Sequence, residues 1–327
     1  MPALPRRVLL GALAAAPLAA CAGGGPRGLI RLATGPDGGP YAVFGSRLAD
    51  EVHQAHPDLT VRVVTTAASV QNLRLLRAGR AELALTLADS AADAAAGRGA
   101  FRPARGTGSG SAAPGPAGEP IAALARLYLN YLHLVVPADA EPREVADLAG
   151  HTLSLGAAGS GTSVTAERVL AAAGVRERVR AVRLGLGESA AALRAGRITA
   201  FFWSGGVPTR AIADLARHTP VRLVPLGTLA ARLRRAAGPV YESAVIPAGA
   251  YGQQTPIPTV GTPSYLVCRR DLGEDAARAV TGVLFTHRDR LPVPDAPGSR
   301  LDERYAIGTG DVPLHPGAAA HYRSVYG

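Results

Sequence analysis

Three short turns carry most of the side chains that could do chemistry in this 327-residue chain. Gly35-Pro36-Asp37-Gly38-Gly39 runs into Pro40 and Tyr41, and Thr65-Thr66-Ala67-Ala68 runs into Ser69, Gln71 and Asn72. Gly156-Ala157-Ala158-Gly159-Ser160-Gly161-Thr162 runs into Ser163. Each turn follows a β-rich apolar run and precedes an amphipathic stretch. Such a turn brings unpaired backbone N–H groups and the positive end of a helix dipole to one rim of a sheet. The glycines let a ligand approach the backbone closely, and the hydroxyls and amides add donors and acceptors. Holding an acidic small molecule is the chemistry this pattern suits.

Other chemistry finds little footing. All 35 basic residues are arginine, so a Walker-A phosphate loop, a Schiff-base lysine and a Ser-Lys dyad are excluded. Ala158 stands where a nucleophile elbow at Ser160 would need its first glycine. His53 and His56 are three apart on an expected helix with no third ligand, a solvated pair rather than a metal site. Neither a metal nor a cofactor is expected. Asp89 and Asp93 share one helical face, whereas a two-carboxylate hydrolase sets its groups across a cleft; Asp93 is expected on solvated helix surface. The net charge of +10 is spread as scattered arginines with only 5% aromatics, which gives no nucleic-acid footprint. A basic surface close to anionic lipid headgroups accounts for it.

The elements that must position these turns repeat. Leu29 to Thr34, Thr60 to Val64 and His151 to Leu155 are expected strands. Helices are expected from Pro40, with Tyr41, Phe44, Leu48 and Val52 on one face, from Ser69 as N-cap, and from Thr162 to near Gly174. Repeated βα units imply an α/β fold with parallel strands. Ile121 to Val136 and Pro256 to Val267 are long apolar runs expected to cross between lobes as strands. Thr199 to Trp203 is a further strand, and Glu144–Gly150, Glu188–Ala195 and Leu272–Leu284 are helices. Residues 102–118 are almost wholly Gly, Ser, Ala, Pro and Thr, the composition of a disordered surface insertion.

The N-terminus predicts where the chain works. Arg6-Arg7 precedes an apolar run from Val8 to Ala20, about 13 residues and too short to span a bilayer, which ends in Leu18-Ala19-Ala20-Cys21. This is the pattern of a lipoprotein signal, residues 1–20, cleaved before a Cys21 that carries the lipid; the export route, Sec or twin-arginine, is left open. Residues 21–28 form a flexible tether. The expected location is the outer face of a bacterial cytoplasmic membrane. With Cys21 committed to lipid, Cys268 has no disulfide partner and is expected to be a buried, inert thiol.

With these motifs in order, the chain resembles the solute-binding subunits of TRAP transporters, specifically the TAXI branch. The resemblance covers about Leu29 to Tyr322. It rests on Gly38-Gly39-Pro40-Tyr41, Ser69-Val70-Gln71-Asn72-Leu73 with Arg77-Ala78-Gly79, Leu83-Ala84-Leu85 with Asp89, and Ala146-Asp147-Leu148-Ala149-Gly150. Further along come the Gly156–Thr162 turn, Gly205-Gly206-Val207-Pro208-Thr209, Val245-Ile246-Pro247-Ala248-Gly249-Ala250-Tyr251 and Leu314-His315-Pro316-Gly317-Ala318.

The resemblance implies a two-lobed, type II periplasmic-binding-protein-like α/β fold with a ligand cleft and a hinge. Lobe I would comprise residues 29–133 and 260–327, and lobe II residues 134–259. It implies a monomeric, non-enzymatic binding protein for a small organic anion, a glutamate-like amino acid or a dicarboxylate, delivered to a TRAP-type permease. Ligand-binding residues would be Gly39, Tyr41, Ser69, Asn72, Asp89, Tyr131, Ser160, Gly161, Thr162, Gly206 and Val207. The alternatives are a sensory lipoprotein that partners a membrane receptor kinase and, more remotely, an exported α/β hydrolase. Departures from the family pattern include Ala42 for an aromatic, Leu87-Ala88 for Gln-Ser, Asn130 within a Pro-Glu-Tyr stretch, Thr199 for an aspartate, and Ala67-Ala68 for Gly-Gly. Lost polar groups remove hydrogen bonds worth on the order of 1–3 kcal/mol each, so the ligand differs from glutamate or binds weakly.

Overall fold

The computed structural model describes residues 25–102, 121–294 and 299–327. The expected signal peptide, Cys21 and residues 103–118 of the expected insertion lie outside them. In order, the chain forms β1 (Gly28–Ala33), α1 (Pro40–Ala55), β2 (Leu59–Val64), α2 (Ser69–Arg77), β3 (Leu83–Leu87) and α3 (Ala88–Ala95). Then come β4 (Ile121–Pro137), β5 (Thr152–Ser154), α4 (Gly161–Ala172), β6 (Arg180–Val182), α5 (Leu186–Arg194), β7 (Ala200–Gly205) and α6 (Arg210–His218). The last part holds β8 (Val221–Leu223), α7 (Ala230–Ala237), β9 (Glu242–Ile246), β10 (Ile257–Arg269), α8 (Glu274–Thr286), α9 (Glu303–Ala306) and α10 (Pro316–Tyr326).

The fold is α/β, one mixed sheet with flanking helices. Strand order is β2-β1-β3-β10-β4-β7-β5-β6, with β8 on β4 and β9 on β10. The βα units pair in parallel as their sequence pattern predicts: β1 with β2 and β3, and β5 with β6 and β7. Between these two parallel groups run the two long strands, antiparallel to each other. β4 pairs with β10 from Ile121 onward and then with β7 at Tyr131–Val135. β10 pairs with β9 up to Gly261 and with β3 from Ser264. The pairing partners change at Asn130 and Thr262, which lie opposite each other in the ladder.

Packing follows the same division. Ile30, Leu32, Phe44, Leu48 and Val52 form a core with α8 and α10, and all four expected α1 positions are buried. Tyr131, Val135, Phe201, Ile212 and Leu215 form another beneath α5 and α6. A third cluster bridges the two parallel groups across β4 and β10, because Val70, Leu73 and Leu76 of α2 and Val169 and Leu170 of α4 share it. Cys268 is buried and unpaired, and burial pushes its thiol pKa well up, as expected of an inert thiol.

Two local expectations are corrected. Ser69 is the first residue of α2 rather than its N-cap; Ala68 precedes it, and Ser69 Oγ accepts from the N–H of Leu87 at 3.0 Å instead. Asp93 is buried rather than solvated, because Arg168 of α4 reaches it at 2.6 Å.

Candidate functional site

A cleft of about 740 Å³ opens at the carboxyl ends of the parallel strands, within the range of small-molecule sites. Its wall comes from Gly35–Tyr41 after β1, Ala67–Ser69 after β2 and Leu87 ending β3. It continues through the turn before α4, Gly185–Glu188 at the start of α5, and Phe202–Gly206 with Pro208–Ala211 leading into α6. Five helices, α1, α2, α4, α5 and α6, therefore begin at this rim. Open α/β sheets place ligands at such a rim because helix N-termini converge there.

Much of the hydroxyl chemistry braces the wall. Tyr41 Oη and Ser264 Oγ are 2.8 Å apart, and Asn130 Nδ2 donates to Ser264 Oγ at 2.6 Å. Burial pushes the Tyr41 phenol pKa up, so it stays neutral. Ser160 is the N-cap of α4: its Oγ accepts from the Ser163 N–H at 3.2 Å and donates to the Ala157 carbonyl at 2.7 Å. Thr162 Oγ1 accepts from the Ser204 N–H at 3.2 Å. The buried Ser204 Oγ has no partner, which leaves an unsatisfied polar atom in the cleft wall. The Trp203 indole also lines the cleft, its N–H donating to Thr209 Oγ1 at 2.9 Å. A Cβ at Gly205 would come 2.4 Å from that indole nitrogen, so only glycine lets the ring lie there.

Charge is confined to the mouth. Among the described residues lining the cleft, the ionisable carboxylates are Asp37, Glu188 and Asp214, and the single cation is Arg210. Asp37 accepts from Thr65 Oγ1 at 2.8 Å, Glu188 accepts from the Gly185 N–H at 2.9 Å, and Asp214 pairs with Arg217 at 2.6 Å. The deeper wall is neutral and largely apolar: Tyr41, Leu87, Phe202 and Trp203.

Of the residues singled out from sequence, Gly39, Tyr41, Ser69, Ser160, Gly161, Thr162 and Gly206 line this cleft. Asn72, Asp89, Tyr131 and Val207 do not. The Asn72 amide donates to the carbonyls of Thr34 and Leu85 and accepts from Thr66 Oγ1, so it ties the β2–α2 turn to β1 and β3. Asp89 faces away and accepts from Thr165 Oγ1 at 2.7 Å and from Tyr241 Oη at 2.9 Å, with Arg168 3.7 Å off. Burial works against the Arg168 charge, but Tyr241, Asp89 and Asp93 outweigh it and hold its pKa above the ordinary value. Tyr131 lies in the core under α6, and Val207 is buried while its neighbour Pro208 takes the wall position. Sequence reasoning missed Asn130, Phe202, Trp203 and Ser204 and the starts of α5 and α6. A signal for two of them was present: alternation along Ala200–Ser204 puts Phe202 and Ser204 on one face of the strand, whereas Trp203 falls on the other.

A family model for the NMT1-like family matches residues 32–325. The chain belongs to the NMT1-like family. The NMT1-like match spans every residue that lines the cleft, from Gly35 to Pro294. Solved structures with a similar chain course include the periplasmic aliphatic sulphonate binding protein SsuA from Escherichia coli. It is 15% identical, with 90% of this chain and 78% of that one covered and a TM-score of 0.46. The alkanesulfonate-binding protein SsuA from Xanthomonas axonopodis pv. citri, bound to MOPS, is 17% identical over 90% and 83%, with a TM-score of 0.46. An ancestral arginine-binding protein bound to arginine is 13% identical over 80% and 93%, with a TM-score of 0.49. Among the described residues, no helix is long and apolar enough to cross a membrane, and no group of three or more His, Cys, Asp or Glu is placed to hold a metal.

Proposed function

We propose that this NMT1-like protein is a non-enzymatic solute-binding protein whose cleft takes a small organic acid of the amino-acid type. The observation that carries the reading is the convergence of five helix starts on one cleft whose deeper wall is neutral and largely apolar. A carboxylate is stabilised at helix N-termini without a cationic side chain, by about 0.3–1 kcal/mol per terminus in water and more where solvent is excluded. Between the two ligand types that the family resemblance offers, the charge pattern favours the amino acid. Asp214 is already matched by Arg210 and Arg217, so a second carboxylate would face Asp37 and Glu188 at the mouth, whereas an ammonium group is attracted by them. Apolar parts of the ligand have Leu87, Phe202 and Trp203 to pack on.

In this reading β4 and β10 connect lobe I, residues 29–133 and 260–327, to lobe II, residues 134–259, and flex where their pairing partners change. Cys21 carries a lipid that holds the protein extracytoplasmically, and the loaded form delivers its ligand to a membrane permease of the TRAP type. Trp203 is the only tryptophan in the chain, so its fluorescence reports on the cleft directly. Titration with amino acids and with dicarboxylates is expected to give saturable fluorescence changes with the former. A ligand at about 100 times its Kd raises folded-state stability by about 2.7 kcal/mol, visible as a thermal shift. Saturable binding of dicarboxylates with none of amino acids would overturn the choice, and no response to either class would overturn the cleft assignment.

A further inference from the structure

The turn that borders the cleft has a second side. Gly156, Ala157 and Ser160 face the cleft, while Ala158 and Gly159 wall a separate cavity of about 440 Å³ between α2 and α4. Four guanidiniums line that cavity: Arg74 from α2, Arg168 from α4, and Arg176 and Arg183 beyond α4. Two carboxylates, Asp93 and Glu167, stand against them.

Both carboxylates are already shared. Asp93 sits between Arg168 at 2.6 Å and Arg98 at 3.6 Å. Glu167 sits between Arg176 at 3.6 Å and Arg183. Arg74 pairs with no carboxylate among the described residues. Each guanidinium presents five N–H donors, so one or two bonds to a shared carboxylate leave others for a ligand. The cavity thus gathers excess positive charge, four guanidiniums against two carboxylates, which attracts an anion.

We propose that this cavity is a second binding site, taking a small polyvalent oxyanion of the phosphate or sulfate class. The planar forks of several guanidiniums match the oxygens of such an anion bidentately, which a single carboxylate does not exploit. A cationic or purely apolar ligand would leave the arginines facing one another unscreened. The site also spans two elements that the protein already ties together. The Gly159 carbonyl accepts from the Val70 and Gln71 N–H groups of α2 at 3.1 and 3.2 Å. An anion bridging Arg74 and Arg176 holds α2 to the α4 side a second time. The proposal does not rest on the amino-acid reading of the cleft.

Calorimetric titration of the whole protein with inorganic phosphate, against chloride at matched ionic strength, tests it. One saturable site is expected. Arg74→Gln and Arg176→Gln should each weaken it about tenfold or more. Both side chains are exposed, so melting temperatures without phosphate should stay unchanged. Trp203 fluorescence should not respond, since the indole lines the cleft and not this cavity. Absence of saturable phosphate binding at millimolar concentration would overturn the proposal, as would undiminished binding in the Arg74→Gln/Arg176→Gln double variant. A saturating change in Trp203 fluorescence would instead place phosphate in the cleft and equally overturn it.

Discussion

Gly161 approaches Ser69 so closely that a Cβ built on it would lie 2.5 Å from the serine Oγ and 2.7 Å from Leu87 Cδ1. Its backbone is not in the left-handed region, so close contact of α4 with α2 and β3, rather than conformational freedom, demands a glycine here. From sequence, this glycine was expected to open the backbone to a ligand.

Gly161→Ala is therefore expected to destabilise the protein by about 1–3 kcal/mol through overpacking, and Gly161→Leu by more. Urea unfolding checks this. A Gly161→Ala variant as stable as the parent would mean that Ser69 and Leu87 move aside without cost.

Ala68 has φ 82 and ψ −147, a conformation that belongs to glycine. Its neighbours hold it there: its N–H donates to Thr66 Oγ1 at 2.9 Å and its carbonyl accepts from the Asn72 N–H at 3.0 Å. This is one of the two positions where the resembled family carries Gly-Gly. Ala68→Gly should relieve strain of about 1–3 kcal/mol, less about 0.4–1 kcal/mol of added unfolded-state entropy. A higher melting temperature is the expected result. A lower one would show that the Ala68 methyl contributes more than its backbone costs.

His133 is buried, and desolvation lowers its pKa from 6.5 to about 4. Its Nδ1 faces the carbonyls of Tyr131 at 2.9 Å and Trp203 at 3.3 Å, so Nδ1 carries the proton. Nε2 then accepts from Tyr251 Oη at 3.1 Å, whose oxygen in turn accepts the Thr209 N–H at 2.6 Å. Between about pH 6.5 and 4 the unfolded chain binds the proton that the folded one excludes. Stability should thus fall as pH drops through this window, by roughly 3 kcal/mol at most, and this contribution should level off below pH 4. Denaturant melts of the parent and of His133→Asn check it; an identical slope in both across the window would remove His133 as its source.

Asp89→Ala should lower stability by about 3–5 kcal/mol, because it removes one partner of a buried ionic cluster and leaves Arg168 and Tyr241 short of an acceptor. Since Asp89 does not line the cleft, Trp203 fluorescence titrations of the folded variant should give a nearly unchanged Kd. A large loss of affinity at unchanged stability would put Asp89 back among the ligand contacts.

The local order of the chain was legible in its residues. Pro40 opens α1, the Gly/Ser/Thr turns follow β1, β2 and β5, and two long apolar runs become β4 and β10. These features depend on backbone preference and apolar period over a few residues, which composition and spacing report directly. That the turns share a rim also followed, because parallel βα units all place their helix starts at the same edge.

Which side chains face the ligand was decided elsewhere. Asp89 and Asp93 have the spacing of a solvated helix face, yet both are buried because Arg168 and Thr165, more than seventy residues away, pack over them. Asn72 looked like a ligand donor until the carbonyls of Thr34 and Leu85 came within its reach. Trp203 turns into the cleft because Gly205 leaves room beside it. The mouth gathers Asp37, Glu188 and Asp214 from three distant segments into one electrostatic surface. Sequence alone determined the first βα units, the βα turns and the two long strands, since those rest on short-range free energies; the expected helix over residues 144–150 is only a short 3-10 turn, Val145–Leu148. Partner choice for a polar side chain is long-range, and only the packing of α2, α3 and α4 against one another and the sheet settled it.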